Sequence, residues 1–147
     1  MELQDEIRIA AQRDRVYSAL NDPEILKQCI PGCEEIEKDS DTELRAKVTL
    51  KIGPVKAKFG GNVTLDPSGA PERLSLSGQG DGGMAGFAKG GADVELVDEG
   101  DVTILRYHAK ADVGGKLAQL GNRLIDSTSK KLAKSFFDSF KEVTENH

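Results

Sequence analysis

Two features of the chain leave few folds open: a long run of period-two alternation, and one uninterrupted amphipathic segment after it. Leu44, Ala46, Val48, Leu50 and Ile52 alternate with Arg45, Lys47, Thr49 and Lys51, Gly53-Pro54 turns, and Val55, Ala57, Phe59, Gly61, Val63 and Leu65 answer on the other side. Asp66-Pro67-Ser68-Gly69 makes the next turn, and Leu74, Leu76 and Gly78 follow. Met84, Gly86, Ala88, Gly90, Ala92, Val94 and Leu96 then alternate with Phe87, Lys89, Asp93 and Glu95, and after Asp98-Glu99-Gly100-Asp101 the last strand runs from Val102 to Asp112. Strict alternation with one polar face means an antiparallel sheet packed on one side only.

The apolar side of that sheet needs a cover. From Lys116 to about Thr144 there is no proline and one glycine, Gly121. A helix of that length spans about 43 Å. At about 100° per residue, Leu117, Leu124, Ile125, Thr128, Leu132, Phe136 and Val143 share one face, while Arg123, Lys130, Lys134 and Lys141 form a stripe opposite. Upstream, Ile7, Ile9 and Ala11 mark a first strand, Asp14 starts a short helix over Arg15–Leu20, and Asp22-Pro23 starts a second that ends by Pro31-Gly32. The order β, α, α, about six β, α predicts an α+β fold with a curved antiparallel sheet of about seven strands wrapped around one long C-terminal helix. It occupies residues 1–147 as one domain.

Composition narrows the function. Net charge is −5, which argues against nucleic acid as a partner. The basic excess is local: residues 113–147 carry six Lys/Arg against four Asp/Glu. No apolar run reaches the roughly 18 residues of a membrane span, and the acidic Met1–Glu6 lacks a signal region. The expectation is a cytoplasmic protein, with contact at the inner membrane face as its one membrane role. Cys29 and Cys33 flank the Pro31-Gly32 turn and the two histidines are His108 and His147, too few ligands for an ordinary zinc site. Gly78-Gln79-Gly80-Asp81-Gly82-Gly83 is not followed by a helix start and reads as a hairpin turn rather than a phosphate loop. No catalytic residue, metal or cofactor is expected, although Tyr17, Tyr107 and His108 are the first candidates for an enzyme using the same interior.

Gly121 falls at the centre of the helix's apolar face, across from a strand bearing Gly86, Ala88, Gly90 and Ala92. Small residues on facing surfaces either let backbones touch or leave a cavity. The expected cavity wall takes Val48, Leu50, Phe59, Val63, Leu76 and Met84 from the first strands. Ala88, Ala92, Leu105 and Tyr107 come from the last two, and Leu117, Gly121, Leu124, Ile125 and Thr128 from the helix. A docking face is expected from Arg123, Lys130, Lys134, Phe137 and Lys141, with Phe137 either an outward anchor or packed against the first strand or short helices.

Three stretches carry a resemblance: Asn21-Asp22-Pro23 on to Ile30-Pro31-Gly32-Cys33-Glu34, Val48 to Gly61 around Lys51-Ile52-Gly53-Pro54-Val55-Lys56, and Gly114-Gly115-Lys116 on to Asp126. The chain resembles the CoxG family, named for the G component of carbon monoxide dehydrogenase, within the START / Bet v 1-like helix-grip superfamily. The resemblance implies a non-catalytic accessory protein that binds an apolar small molecule, a quinone or a lipid, and works with molybdenum hydroxylase subunits. Members that anchor themselves carry a hydrophobic C-terminal tail. The sequence stops at His147, so a carrier or docking role is the expectation here.

Overall fold

The computed structural model describes residues 1–146. Seven strands form one antiparallel sheet: β1 (Glu2–Ile9), β2 (Cys33–Ser40), β3 (Glu43–Ile52), β4 (Val55–Asp66), β5 (Arg73–Asp81), β6 (Phe87–Asp98) and β7 (Thr103–Gly114). Their order is β1-β7-β6-β5-β4-β3-β2, so every neighbouring pair except β1–β7 is a sequence-adjacent meander. Helices α1 (Arg13–Leu20) and α2 (Pro23–Cys29) connect the two edge strands, and α3 (Asn122–Glu145) lies along the concave face. This is the predicted helix-grip arrangement. Asp22 caps α2 by accepting from the Glu24 N–H at 2.9 Å, with Pro23 in the first turn. Helix α1 starts two residues earlier than expected. Its cap position is Gln12, which makes no side-chain cap bond, and Asp14 lies in its first turn.

The C-terminal helix is shorter than the periodicity predicts. Gly115–Leu120 forms a 3-10 turn, and Gly121 at φ +89° separates it from α3. A left-handed φ breaks the helical hydrogen-bond pattern and is cheap only for glycine. The 24 residues that remain span about 36 Å. A second correction concerns the turn after β5. Gly83 at φ +63° and Gly86 at φ +112° flank the 3-10 turn Gly83–Ala85, so β6 starts at Phe87 and Met84 is not on a strand.

The core is concentrated at one end. Ile9, Val16, Leu74, Leu105 and Phe140 are almost wholly inaccessible, and Leu44, Leu65, Val94 and Leu96 are buried with them. Helix α3 is held there by polar bonds as well. Lys141 Nζ donates to the Arg8 carbonyl at 2.8 Å and to Glu145 Oε2 at 2.6 Å. The same Glu145 oxygen accepts from the Ala10 N–H at 2.7 Å, and Arg15 Nε donates to the Thr144 carbonyl at 2.9 Å.

Burial decreases along the inward face. Leu105→Ala removes a fully buried side chain and is expected to cost about 2–5 kcal/mol. Leu50→Ala, at a half-buried position of the same face, should cost about 1 kcal/mol, the share of transfer energy left to a side chain still partly wet. Denaturant unfolding of the two variants measures the difference.

The Ala10 N–H and Lys141 hold the Glu145 carboxyl below the usual glutamate range. A lowered native value means that the stabilisation is complete above the unfolded-state value and fades as pH falls through the native one. Thermal midpoints are therefore expected to drop more steeply below about pH 4.3 in the parent protein than in Glu145→Gln.

Candidate ligand-binding site

The strand registers put inward residues into rows, and side-chain volume tapers from row to row. At the packed end Ile7, Leu105 and Leu96 lie side by side. The next row is Asp5, Tyr107, Val94 and Leu74, and the one after it Leu3, Ala109, Ala92, Leu76 and Leu65. Beyond these come Ala111, Gly90, Gly78 and Val63, then Val113, Ala88, Gly80 and Gly61. The strands β4 to β7 thus lose their large side chains while α3 continues across the concave face.

Past that point β3 and β4 continue alone. Pairing of β2 with β3 reaches Val48, and pairing of β4 with β5 ends at Gly60. Residues 50–59 are therefore a two-stranded arm, with Leu50 opposite Ala57 and Ile52 opposite Val55. Its tip curls toward α3. A Cβ on Gly53 would lie 2.8 Å from Leu124 Cδ2, so glycine, already at φ +57°, is required there. The neighbouring end is closed by the two 3-10 turns packing on each other. A Cβ on Gly86 would lie 2.2 Å from the Gly114 carbonyl oxygen.

Most expected wall residues share this space. Val48, Leu50, Phe59, Val63, Leu76, Ala88, Ala92 and Tyr107 point inward and are half-buried, as are Leu124 and Thr128 on α3. Leu105, Leu117 and Ile125 are buried outright and belong to the packing at either end. Two expected residues fall outside. Met84 is 85% exposed on its turn. Gly121 is exposed at the helix start, with no atom within 4 Å of where its Cβ would be, so it neither faces β6 nor lines the interior.

Phe137 does not face outward. Its ring stacks on Tyr107 with centroids 4.5 Å apart and meets Phe136 edge-on at 4.9 Å. The helical angle alone misplaced it, because the edge strand β1 wraps round to that flank of α3. Between β1 and α3 runs a groove of about 600 Å³ lined by Leu3, Ile7, Tyr107, Ala133 and Phe137 and rimmed by Asp5 and Lys130. The basic stripe is divided accordingly. Lys134 pairs with Asp138 at 2.7 Å, Lys141 belongs to the Glu145 clamp, and Arg123 and Lys130 are exposed. Asp5 is a carboxylate that no sequence motif marks, although it has the parity of Ile7 and so shares the inward face. Burial, with the Asp5 charge as a smaller contribution, raises the Tyr107 hydroxyl above its ordinary value and keeps it a neutral donor. His108 lies on the outer face beside Glu2. Tyr17 is half-buried against the core, its hydroxyl without a hydrogen-bond partner among the described residues.

A curved sheet, a helix standing across it, and an inward face that is apolar but incompletely packed define a START-like helix-grip protein with a hydrophobic interior. Comparison with known proteins makes this more specific. Residues 6–144 match the CoxG family, the G component of carbon monoxide dehydrogenase, and the chain belongs to it. A conserved protein from Geobacillus kaustophilus superposes with a TM-score of 0.90 at 28% identity, covering 99% of this chain and 96% of that one. A START superfamily protein from Mycobacterium smegmatis (TM-score 0.69, 18% identity, 97% and 98% covered) shares the fold. So does the Zhui aromatase/cyclase from Streptomyces sp. R1128 (TM-score 0.69, 10% identity, 99% and 93% covered). No curated protein matches the chain significantly. Family and fold together indicate a ligand-binding accessory role. No helix among the described residues is long and apolar enough to cross a membrane.

The Tyr107–Phe137 stack assigns Phe137 to packing. Phe137→Ser is expected to destabilise by about 2 kcal/mol, combining partial loss of buried ring area with loss of the aromatic pair. That corresponds to a melting point lower by roughly 4–8 °C. A midpoint unchanged within a degree would return the ring to the surface.

Proposed function

We propose that the protein is a non-catalytic carrier that holds an apolar small molecule, a quinone or a lipid, between the sheet and α3. On this reading it works on the cytoplasmic side as an accessory to a molybdenum hydroxylase of the carbon monoxide dehydrogenase type. The observation that carries the reading is the volume taper. Leu96 and Leu105 give way to Ala92 and Ala109, then to Gly90 and Ala111, under a helix that keeps presenting Leu124, Thr128 and Leu132 to the same side. Apolar carbon left half-wet on a concave surface gains free energy when a ligand displaces its water. The Tyr107 hydroxyl and Thr128 supply the few polar groups that would orient a ring carbonyl or a headgroup. The family's name is what ties the chain to carbon monoxide dehydrogenase.

An enzyme in the same interior is the second reading, favoured by the inward pair Asp5 and Tyr107. A carboxylate beside a phenol is a usable acid–base combination.

Organic extraction and mass spectrometry of the purified protein should recover a quinone or lipid in near-stoichiometric amount. Ala88→Phe should eliminate it while changing stability by less than about 1 kcal/mol, because the ring enters open space. In a filled interior the same change would cost about 1–3 kcal/mol through overpacking, and the carrier reading would be abandoned. Conversion of the bound molecule during incubation, abolished by Tyr107→Phe, would favour the enzyme.

A further inference from the structure

The large hydrophobic side chains exposed among the described residues are Met84, at 85%, and Phe87, at 50%. They sit on the β5–β6 connection, at the end of the sheet where the β3–β4 arm projects and where the turn before α3 packs against Gly83–Ala85. Soluble surfaces bear single exposed apolar residues routinely, but an apolar tip combined with one sign of charge is a different feature. Residues 51–58, 82–89 and 113–125 converge on this end. Together they hold six of the chain's 20 Lys/Arg and none of its 25 Asp/Glu. Lys51, Lys56, Lys58, Lys89, Lys116 and Arg123 are all exposed. Asp81, Asp112 and Asp126 bound the three segments, with Asp81 occupied in accepting from the Gly83 N–H at 2.7 Å. Lys58 has Glu34 at 3.6 Å. A protein of net charge −5 thus presents a basic, apolar-tipped end.

We propose that this end is a docking surface for an anionic lipid bilayer, with Met84 and Phe87 entering the headgroup boundary and the lysines and Arg123 meeting the lipid phosphates. The occupant is argued from charge complementarity and amphipathicity. The rest of the molecule is acidic and repelled by an anionic surface, so attraction confined to this end fixes the orientation. An amphipathic tip ringed by lysine suits an interface whose depth changes from apolar to charged within a few ångströms. In that orientation the β3–β4 arm and the start of α3 face the membrane. The surface itself stands without the ligand reading. Its use, passing an apolar ligand between bilayer and interior, rests on that reading.

The test is co-sedimentation of the full chain with vesicles of phosphatidylcholine alone and of phosphatidylcholine with about 30 mol% phosphatidylglycerol, at low and high salt. Binding is expected to the anionic vesicles alone and to weaken with salt. Met84→Ser should lower the partition coefficient at least about fivefold through lost apolar insertion. Lys56→Glu with Lys89→Glu should lower it about tenfold or more, each basic residue near the surface contributing about fivefold. Lys38→Glu, beside the β2–β3 turn at the opposite end of the sheet, should have no such effect. Melting points and extracted ligand are measured on every variant. Vesicle binding lost with ligand retained supports the docking surface. Vesicle binding by a protein that extracts empty also supports it and removes the carrier reading. Equal binding to both vesicle types, no binding to either, or undiminished binding of the Met84 and lysine variants would overturn it.

Discussion

The rest of the molecule depends on the way α3 is held at one end. Phe140 is fully buried in the core formed by α1, α2 and the packed end of the sheet. Around it, Glu145, Lys141 and the Thr144 carbonyl bond to the start of the chain through Ala10, Arg8 and Arg15. These contacts fix the direction in which α3 leaves the core. Because the central strands shed side-chain volume along that direction, the helix cannot close on the sheet without moving its anchored end. The interior follows from a rigid attachment plus a tapering wall.

Mostly nonpolar walls decide what such an interior can hold. The described inward rows carry one ionisable carboxylate, Asp5, and it lies at the edge strand, where it stays exposed. Charge is therefore kept out of the low-dielectric part of the molecule, where an unpaired ion would cost several kcal/mol. The polar bonding of the fold lies instead on the outer sheet face, in exposed pairs such as Arg106–Glu6 at 2.9 Å and Arg45–Asp39 at 2.7 Å. Such pairs add little individually. They do set strand register across the edges, and register keeps the small inward residues aligned.

The Gly86, Gly114 and Gly115 contact has a comparable role at the opposite end. Backbones meet there with no room for a Cβ, and the two 3-10 turns close one side while leaving Met84 outside. The closed side and the basic tip are thus made by the same short segment. This couples any surface that docks there to the segment leading into α3.

Period-two alternation determined the number of strands, their antiparallel pairing and which residues face inward, since each strand has one dry face and a slip of one residue would invert it. The short helices were legible from Asp22-Pro23 and the apolar spacing, and the family from the stretches around Gly53-Pro54 and Gly114–Asp126. The sequence alone could not place Met84, Gly121 or Phe137. Gly83, Gly86 and Gly121 are residues for which helix, strand and left-handed turn differ little in local energy, so the contacts of neighbouring segments choose among them. Phe137 looked outward because a helical wheel knows one partner surface, whereas β1 wraps to a second and offers Tyr107. Whether the small residues of β6 meet the helix closely or stand away from it is likewise a tertiary matter. It depends on where α3 is anchored, and that is decided by contacts between residues more than a hundred positions apart.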